Sequence, residues 1–430
     1  MEVIHVLITL GIIMILGFIG NYIFNRTQIP SIVWLLLFGL VVGFGFNVQN
    51  TIAPGLLQTI SGIFGSVAIV IILFDGGINT DLHQLFKGAP RGLLLTVSGF
   101  LLSLFSTMII VVGLAAAGVI PLSFNDSLII GAVLGAIVGG TSSPIVIPLA
   151  YKLRNLQEKT KMISSIESIL TDPMCIVVVL AIVYMVFVEQ EINLVAGFGS
   201  LIKTFSVGIV LGIALGFVWL PIMSKVRKEE FSYVLTLAVV FLVYSFTFMI
   251  IGESDGGEGA GAIACLMFGL VLGNGKKILK MIDYEDRDYE MDDETKKFHG
   301  LTSFVIRTFF FVYLGMIVAF QRIEFILIGI IVLIGLLVVR YLAIYITTFK
   351  GNFEKDDIQT MAVLMPRGLA AAILAIKFGD QFVNQFMPGF DGFFKDVAFV
   401  VILGTAIITT VGVSIICRSE MKKMRETVSK

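Results

Sequence analysis

The chain has 430 residues, of which 57% are hydrophobic and only 14% are charged, and its mean hydropathy is +0.98. Because a typical soluble domain is about 25% charged, this composition excludes a soluble enzyme, a nucleic-acid-binding protein, a disordered chain and a disulfide scaffold. The 30 basic and 31 acidic residues nearly cancel, so the net charge points to no partner. The cysteines lie in apolar runs and are predicted to be buried thiols: Cys175, Cys265 and Cys417.

Thirteen apolar segments are candidate transmembrane helices, each of which needs about 20 predominantly apolar residues. They are 4–24, 31–46, 56–78, 92–120, 127–150, 162–188, 198–224, 231–252, 259–274, 301–320, 324–349, 357–378 and 394–417. The first is predicted to be a membrane helix, because it lacks the basic start of a signal peptide. The sequence therefore predicts an all-α polytopic membrane protein with 13 transmembrane helices.

Most of the basic residues lie in the loops that follow odd-numbered spans, such as Lys152 after span five and Lys225 after span seven. Since cytoplasmic loops carry the excess of Lys and Arg, we predict a plasma-membrane protein with its N-terminus outside and its C-terminus in the cytoplasm. The longest loop, 275–300, mixes basic residues with an acidic run. It is predicted to be a solvated connector, with a regulatory or cation-collecting role as the alternative.

Three acidic and three basic residues inside the predicted spans stand out, because a charge there is costly and usually faces a pathway or a partner. Asp172 is about 15 Å into span six, near the midplane at 1.5 Å per residue. Ser168 shares its helical face, whereas Glu167 points about 140° away. The alternative for these charges is a set of ion pairs that holds helices in register. The six are Asp75, Glu167, Asp172, Arg307, Arg340 and Arg367.

Two spans contain residues that interrupt a helix. Span five holds Gly139-Gly140-Thr141-Ser142-Ser143-Pro144, and span twelve holds Met365-Pro366-Arg367-Gly368. Broken helices at membrane depth occur where the backbone lines a cavity. Their freed carbonyls and hydroxyls suit a small bare cation, and a kink packed on a neighbour, with no ligand, is the alternative.

Spans five and twelve are seven apart and therefore run in opposite directions. Paired interrupted helices in inverted repeats indicate a transporter site at the midplane. We therefore predict two inverted six-helix repeats with crossed discontinuous helices. The first repeat covers 1–190, a linker span covers 191–230, the second repeat covers 231–417, and a cytoplasmic tail covers 418–430.

The motif Glu167-Ser168-x-x-Thr171-Asp172-Pro173 resembles the Glu-Ser-x-x-Asn-Asp-Pro signature of monovalent cation/proton antiporters, in particular the branch of the NhaP and NHE sodium/proton exchangers. Two shorter segments are similar to the same branch. Phe74-Asp75-Gly76-Gly77 resembles its Phe-Glu-Gly-Gly, and Arg367-Gly368-Leu369 resembles its Arg-Gly-Ala/Leu. Arg340 corresponds to an arginine of span eleven, and the thirteen spans also match.

The resemblance implies a role for each of these residues. Asp172 would alternately bind a cation and a proton, and Glu167 would form a structural ion pair with Arg340. Arg367 would stabilise the crossing of the broken helices, and Arg307 is grouped with it as a supporting charge. The residues expected around the transported Na⁺ or proton are Asp172, Thr171, Ser168, Asp75, Thr141, Ser142 and Ser143. The family also implies a homodimer.

The chain departs from the family at two points. Thr171 stands where the family has Asn, and Ser142-Ser143-Pro144 replaces a frequent Thr-Asp-Pro, so one acidic neighbour of the site is absent. The span-six motif has a single aspartate, unlike the Asp-Asp of electrogenic relatives. This favours electroneutral one-for-one exchange, with Na⁺, Li⁺ and K⁺ all open as the transported ion.

Three other functions compete with antiport. An intramembrane aspartyl protease could use Asp75 and Asp172, but neither lies in a Tyr-Asp or Gly-x-Gly-Asp motif. A cation channel would show a repeated filter or a pore ring. A sodium-coupled solute symporter of similar fold would need a substrate pocket for which the sequence has no signature. No nucleotide loop, haem motif or zinc spacing occurs, so we predict no cofactor.

Overall fold

A computed structural model describes residues 2–27, 29–45, 54–80, 90–153, 156–188, 194–226, 229, 231–252, 256–281, 293–318, 320 and 322–428. All regular structure in these ranges is helical. The helices are α1 Glu2–Thr27, α2 Ser31–Gly45, α3 Pro54–Ile78, α4 Pro90–Ala116, α5 Phe124–Ile137, α6 Ser143–Lys152, α7 Glu158–Val183 with a π-helix Tyr184–Val188, α8 Leu194–Val226, α9 Ser232–Ile251, α10 Gly257–Gly273, α11 Gly275–Met281, α12 Asp293–Ile317, α13 Ile323–Thr348, α14 Lys355–Val363, α15 Leu369–Phe386 and α16 Phe393–Val428.

Each of the thirteen predicted spans coincides with a helix or, for spans five and twelve, with two half-helices. Seven helices of the described chain are long and apolar enough to cross a membrane, and five shorter ones are apolar. The number of crossings stays a prediction. The predicted loop 275–300 is partly helical, because it contains α11 and the start of α12, while residues 282–292 lie outside the described ranges. The predicted tail also begins as a continuation of α16.

The chain divides into two compact units. Unit 1 comprises Met1–Ser61, Ala89–Thr171 and Val305–Lys430, and unit 2 comprises Gly62–Gly88 and Asp172–Phe304. The boundary on α7 falls between Thr171 and Asp172. These units are set by contacts between residues and not by sequence symmetry, so the inverted repeats stay a prediction.

In unit 1, α4 packs closely on both α5 and α13. Glycines allow the approach to α5, since a Cβ atom on Gly131 would lie 2.7 Å from the Cα atom of Met108. Such small-residue contacts are typical of helix packing in membranes. A buried apolar cluster then joins α4, α7, α13 and α14, and this cluster fixes the helices that carry Glu167 and Arg340. Its members are Leu95, Ile163, Ala343, Ile344, Met361 and Ala362.

In unit 2, α10 is the central helix and packs against α8 and α9. Helix α3 also lies directly on α10, where the backbone of Phe74 contacts Gly269. The amide of Asn274 donates a hydrogen bond to the carbonyl oxygen of Thr80 at 2.7 Å, which ties the end of α3 to the end of α10. Helix α3 is therefore held against α10 both next to Asp75, at Phe74, and after it, at Thr80.

Candidate functional site

The predicted break in span five is present, because α5 ends at Ile137 and α6 begins at Ser143. Thr141 and Ser142 in the break are buried, and Ser142 is extended at the start of α6. The backbone N–H of Ser142 donates to the carbonyl oxygen of Pro366 at 2.8 Å. The freed backbone of span five is thus hydrogen-bonded to the interrupted part of span twelve.

Span twelve is broken between Val363 and Leu369, the end of α14 and the start of α15. The buried Arg367 lies in this break and donates from Nη1 to the carbonyl oxygens of Gly139 at 2.9 Å and Gly140 at 2.8 Å. These carbonyls follow the C-terminus of α5, where a helix carries partial negative charge. The guanidinium therefore pairs the carbonyl oxygens just beyond α5, and its positive charge offsets the partial negative charge at the C-terminus of that helix.

The two breaks approach so closely that only glycine fits at position 368. A Cβ atom there would lie 2.7 Å from the Cβ atom of Ser142. Arg367 is held from the other side as well, since its backbone N–H donates to Thr405 Oγ1 at 3.0 Å. The breaks of spans five and twelve are thus in direct contact within unit 1.

Thr171 on α7 is hydrogen-bonded to the break of span five. Its Oγ1 accepts the backbone N–H of Thr141 at 2.9 Å and lies 3.3 Å from both the hydroxyl and the carbonyl oxygen of Thr141. Thr171 is buried, so its hydroxyl supplies the hydrogen bond that the helix break would otherwise leave unmade. Span six is therefore fastened to the broken part of span five one residue before Asp172.

Glu167 and Arg340 form a buried ion pair within unit 1. Arg340 Nη1 donates to Glu167 Oε1, and Nη2 donates to Oε2 at 3.0 Å. The guanidinium also donates to the carbonyl oxygens of Met361, at 2.8 Å from Nη2, and of Leu364, at 2.9 Å. Arg340 thus satisfies both the carboxylate and the carbonyl end of α14.

Asp172 follows Thr171 on α7 and is only 8% exposed. Within unit 2 the next residue, Pro173, packs on α3, since a Cβ atom on Gly76 would lie 3.1 Å from its Cγ atom. Asp75 directly precedes Gly76, is half-buried and accepts a hydrogen bond from Asn79 Nδ2 at 3.0 Å. Asp172 and Asp75 therefore each directly precede one of the two residues, Pro173 and Gly76, at which α7 contacts α3.

The other predicted site residues are distributed as follows. Ser168 is fully buried on α7 and donates to the carbonyl oxygen of Ser165 at 3.0 Å. Ser143 is the half-buried first residue of α6. Arg307 is half-buried on α12.

The model of the transmembrane sodium/hydrogen exchanger family matches residues 11–418. The chain belongs to this family. Probable Na(+)/H(+) antiporter 2 of Methanocaldococcus jannaschii is 24% identical over 74% of this chain and 72% of its own length. The K(+)/H(+) antiporter NhaP of Alkalimonas amylolytica is 23% identical over 87% of this chain, which spans only 61% of that protein.

The fold is also that of a solved sodium proton antiporter. The structure of the sodium proton antiporter MjNhaP1 from Methanocaldococcus jannaschii at pH 8 has a TM-score of 0.76 with this chain. The two are 23% identical, and the match covers 96% of this chain and 100% of that one. This likeness shows the fold.

Sequence reasoning missed three polar contributors in this family member. Asn79 holds Asp75, and Thr405 holds the backbone of Arg367. Thr409 donates to the carbonyl oxygen of Val363 at 2.8 Å, at the end of α14. Thr405 and Thr409 are four residues apart in a mostly apolar span, and this spacing was the available signal for a polar helix face.

Proposed function

We propose that this protein exchanges a monovalent cation for protons across the membrane, with Na⁺ as the preferred ion and Li⁺ and K⁺ as alternatives. The observation that carries the proposal is the buried carboxylate of Asp172, directly after the residue that fastens α7 to the broken span five. Membrane carboxylates of this kind mark ion pathways. Relatives named as Na⁺/H⁺ and K⁺/H⁺ antiporters support the same activity.

In this proposal one carboxylate serves both substrates. Asp172 holds either a proton or a bare cation, and each displaces the other, so the two fluxes are coupled without contact between the substrates. Hydroxyl and backbone oxygens would complete the cation shell, as unwound helices do in other transporters. The oxygen donors would come from Ser168, Thr171, Asp75, Thr141, Ser142 and Ser143.

Exchange is proposed to be one cation for one proton, because the span-six motif offers a single aspartate. Glu167 is neutralised by Arg340, so it is assigned a structural role and no share of the transported charge. Arg367 is assigned the support of the crossing. Alternating access would expose Asp172 to each side in turn. The protein is proposed to be a plasma-membrane homodimer with its C-terminus in the cytoplasm.

The test is dissipation of a pH gradient in proteoliposomes after addition of Na⁺, Li⁺ or K⁺. We expect at least one ion to dissipate the gradient and Asp172→Asn to abolish the response while the protein stays folded. Asp380→Asn is the matched control, because this carboxylate is half-buried in an ion pair with Lys395. Equal rates with the membrane potential clamped and free would support electroneutrality. Exchange by Asp172→Asn, or no response to any ion, would refute the assignment.

A further inference from the structure

The starts of α4 and α7 meet the turn that follows α13 at one end of unit 1. Arg91 is the second residue of α4, Lys159 is the second residue of α7, and Phe353 lies in the turn between α13 and α14. The centroid of the Phe353 ring is 5.3 Å from Arg91 Cζ and 4.2 Å from Lys159 Nζ. Both distances are within the range of cation–π contacts. Two cations from different helices therefore converge on one aromatic ring.

The same two side chains also bind the backbone of this turn. Arg91 Nη2 donates to the carbonyl oxygen of Lys350 at 3.4 Å, and Lys159 Nζ donates to that of Asn352. Lys350 is a third cation in the turn. It is exposed, and its Nζ atom is 5.6 Å from the ring centroid of Phe349. We name Arg91, Lys159 and Lys350 the cationic cluster.

No carboxylate of the described residues forms an ion pair with a member of the cationic cluster. Three acidic residues at the same end of unit 1 bind other groups. Glu158 pairs with Lys161 at 2.8 Å, Glu354 caps α14, and Asp357 accepts two backbone N–H groups. The positive charge of the cluster is therefore available to an anion from outside the chain.

The surroundings of the cluster indicate what kind of anion this is. Tyr341, Tyr345 and Phe349 are exposed at intervals of four residues along the end of α13, and Leu93 and Leu94 are exposed at the start of α4. Both helices are candidate membrane spans, and they pack closely on each other. Aromatic residues at the end of a span typically lie at the level of the lipid headgroups. Apolar and aromatic surface thus continues directly from the cations into the bilayer.

We propose that the cationic cluster binds the phosphate of an anionic phospholipid, whose acyl chains lie along the exposed faces of α4 and α13. Basic pockets between transmembrane helices bind anionic headgroups at the cytoplasmic surface, and the loops at this end are those predicted to be cytoplasmic. A free phosphate ion would make no use of the adjoining apolar surface. The bound lipid would supply a counter-charge at the turn that leads into the broken span twelve.

The test identifies the lipid that contacts α13 beside the cluster. Phe349→Trp places a fluorophore next to Lys350, in full-length protein whose Trp34 and Trp219 are replaced by phenylalanine. The protein is reconstituted into mixtures of phosphatidylcholine and phosphatidylglycerol, in which one of the two lipids carries brominated chains that quench tryptophan. Ile334→Trp is the matched control, exposed on the same helix about 22 Å away. The dependence of quenching on lipid composition gives the affinity of phosphatidylglycerol relative to phosphatidylcholine at each position.

We expect phosphatidylglycerol to be preferred by about tenfold or more at position 349 and by less than about twofold at the control position, since each basic residue near the surface contributes about fivefold. In the Phe349→Trp protein, Arg91→Gln combined with Lys159→Gln should remove most of this preference. Lys225→Gln combined with Lys355→Gln removes the same charge at exposed positions outside the cluster and should leave the preference unchanged.

Equal affinities for the two lipids at position 349, or the same loss in both double variants, would overturn the inference. The comparison of positions 349 and 334 needs no charge substitution, so it decides the matter even if the first double variant does not fold. Inorganic phosphate provides the remaining comparison. If it raised the unfolding temperature of the native protein while the two lipids bound alike at position 349, the cluster would be a free-anion site and the lipid assignment would fail. Quenching does not require ion exchange, so the result is independent of the proposed function.

Discussion

The Oγ1 atom of Thr171 accepts the backbone N–H of Thr141 at 2.9 Å, across 30 positions of sequence. The hydrogen bond joins a continuous helix to the unwound centre of another, and the next residue on the continuous helix is Asp172. A hydroxyl can serve here because it needs only to accept one N–H. Its single proton can be donated to the carbonyl oxygen of Thr141, 3.3 Å away, whereas the amide of the family asparagine would bring two protons.

Removing this hydroxyl should weaken both the fold and cation binding. Thr171→Val keeps the shape of the side chain but leaves the N–H of Thr141 buried and unpaired, which costs about 1–3 kcal/mol. Thr171→Ser keeps the acceptor and should behave like the native protein. We expect a lower unfolding temperature in detergent and a several-fold higher half-saturating cation concentration for Thr171→Val alone.

Thr96→Val is the matched control for that prediction. The hydroxyl of Thr96 is equally buried but only donates to Gly92 in its own helix, so its loss leaves no unpaired N–H. This variant should unfold near the native temperature with unchanged cation dependence. If Thr171→Val matched the control in both measurements, the hydrogen bond to Thr141 would have no role in the site.

The pair of Glu167 and Arg340 should contribute to stability and not to ion selectivity. Glu167→Gln leaves a buried guanidinium without its counter-charge, and breaking a buried pair from one side typically costs about 3–5 kcal/mol. Among properly folded molecules, the order of preference for Na⁺, Li⁺ and K⁺ should be unchanged. Thermal unfolding and ion-specific exchange rates check the two parts separately.

The half-exposed pair of Asp380 and Lys395 provides the comparison. Solvent-accessible ion pairs typically contribute about 0–1 kcal/mol, so Asp380→Asn should change the unfolding temperature little. A changed ion preference in Glu167→Gln would contradict the structural role and would make this carboxylate part of the transport site.

Much of this arrangement could be predicted from local residue chemistry. The breaks near Gly139 and Arg367 follow from glycine and proline in apolar segments, and the faces of α7 follow from helical periodicity. The meeting of Arg367 with the carbonyl oxygens of Gly139 and Gly140 could not be predicted in this way. It depends on two segments more than 220 residues apart in sequence, and only the folded backbone brings them together.

The same limit applies to Thr405 and to the serines at positions 164 and 165 of α7. Thr405 binds a backbone N–H whose availability depends on the break in another helix. The serines at positions 164 and 165 were visible in the sequence, but a hydroxyl in a helix usually bonds to the preceding turn. Their unsatisfied state becomes apparent only when all the described neighbours are known.

Gly368 should tolerate no side chain unless space is made opposite it. Gly368→Ala introduces a Cβ atom 2.7 Å from the Cβ atom of Ser142 and should lower the unfolding temperature and slow exchange by tenfold or more. Adding Ser142→Gly removes the opposing atom and should restore much of the stability. Thermal unfolding of the single and double variants measures this coupling.

Gly113→Ala is the control for the glycine prediction. This residue lies within α4 and has no atom within 4 Å of the added Cβ, so the change should be neutral or stabilise the helix by about 0.5–1 kcal/mol. Equal effects of Gly368→Ala in the presence and absence of Ser142→Gly would show that the close approach of the two breaks does not govern stability.

Opposite changes in cation affinity should follow from neutralising the two members of the ion pair between Lys161 and Glu158 at the start of α7. Lys161 lies about 16 Å along α7 from Asp172, a distance at which one charge shifts the affinity of another by about two- to sixfold at an effective dielectric constant of 20–40. Lys161→Gln should therefore lower the half-saturating Na⁺ concentration on the side where α7 begins. Glu158→Gln leaves the lysine uncompensated and should raise it.

The opposite signs distinguish this electrostatic role from a structural one, in which both substitutions would impair exchange alike. Initial rates in oriented proteoliposomes, measured against Na⁺ on each side separately, provide the comparison. Lys395→Gln is the control, because its pair with Asp380 lies on other helices and should leave both sides unchanged. Because salt screens the interaction, the difference between the two variants should narrow as inert salt increases. Shifts of the same sign in both variants would refute this electrostatic effect of the pair on Asp172.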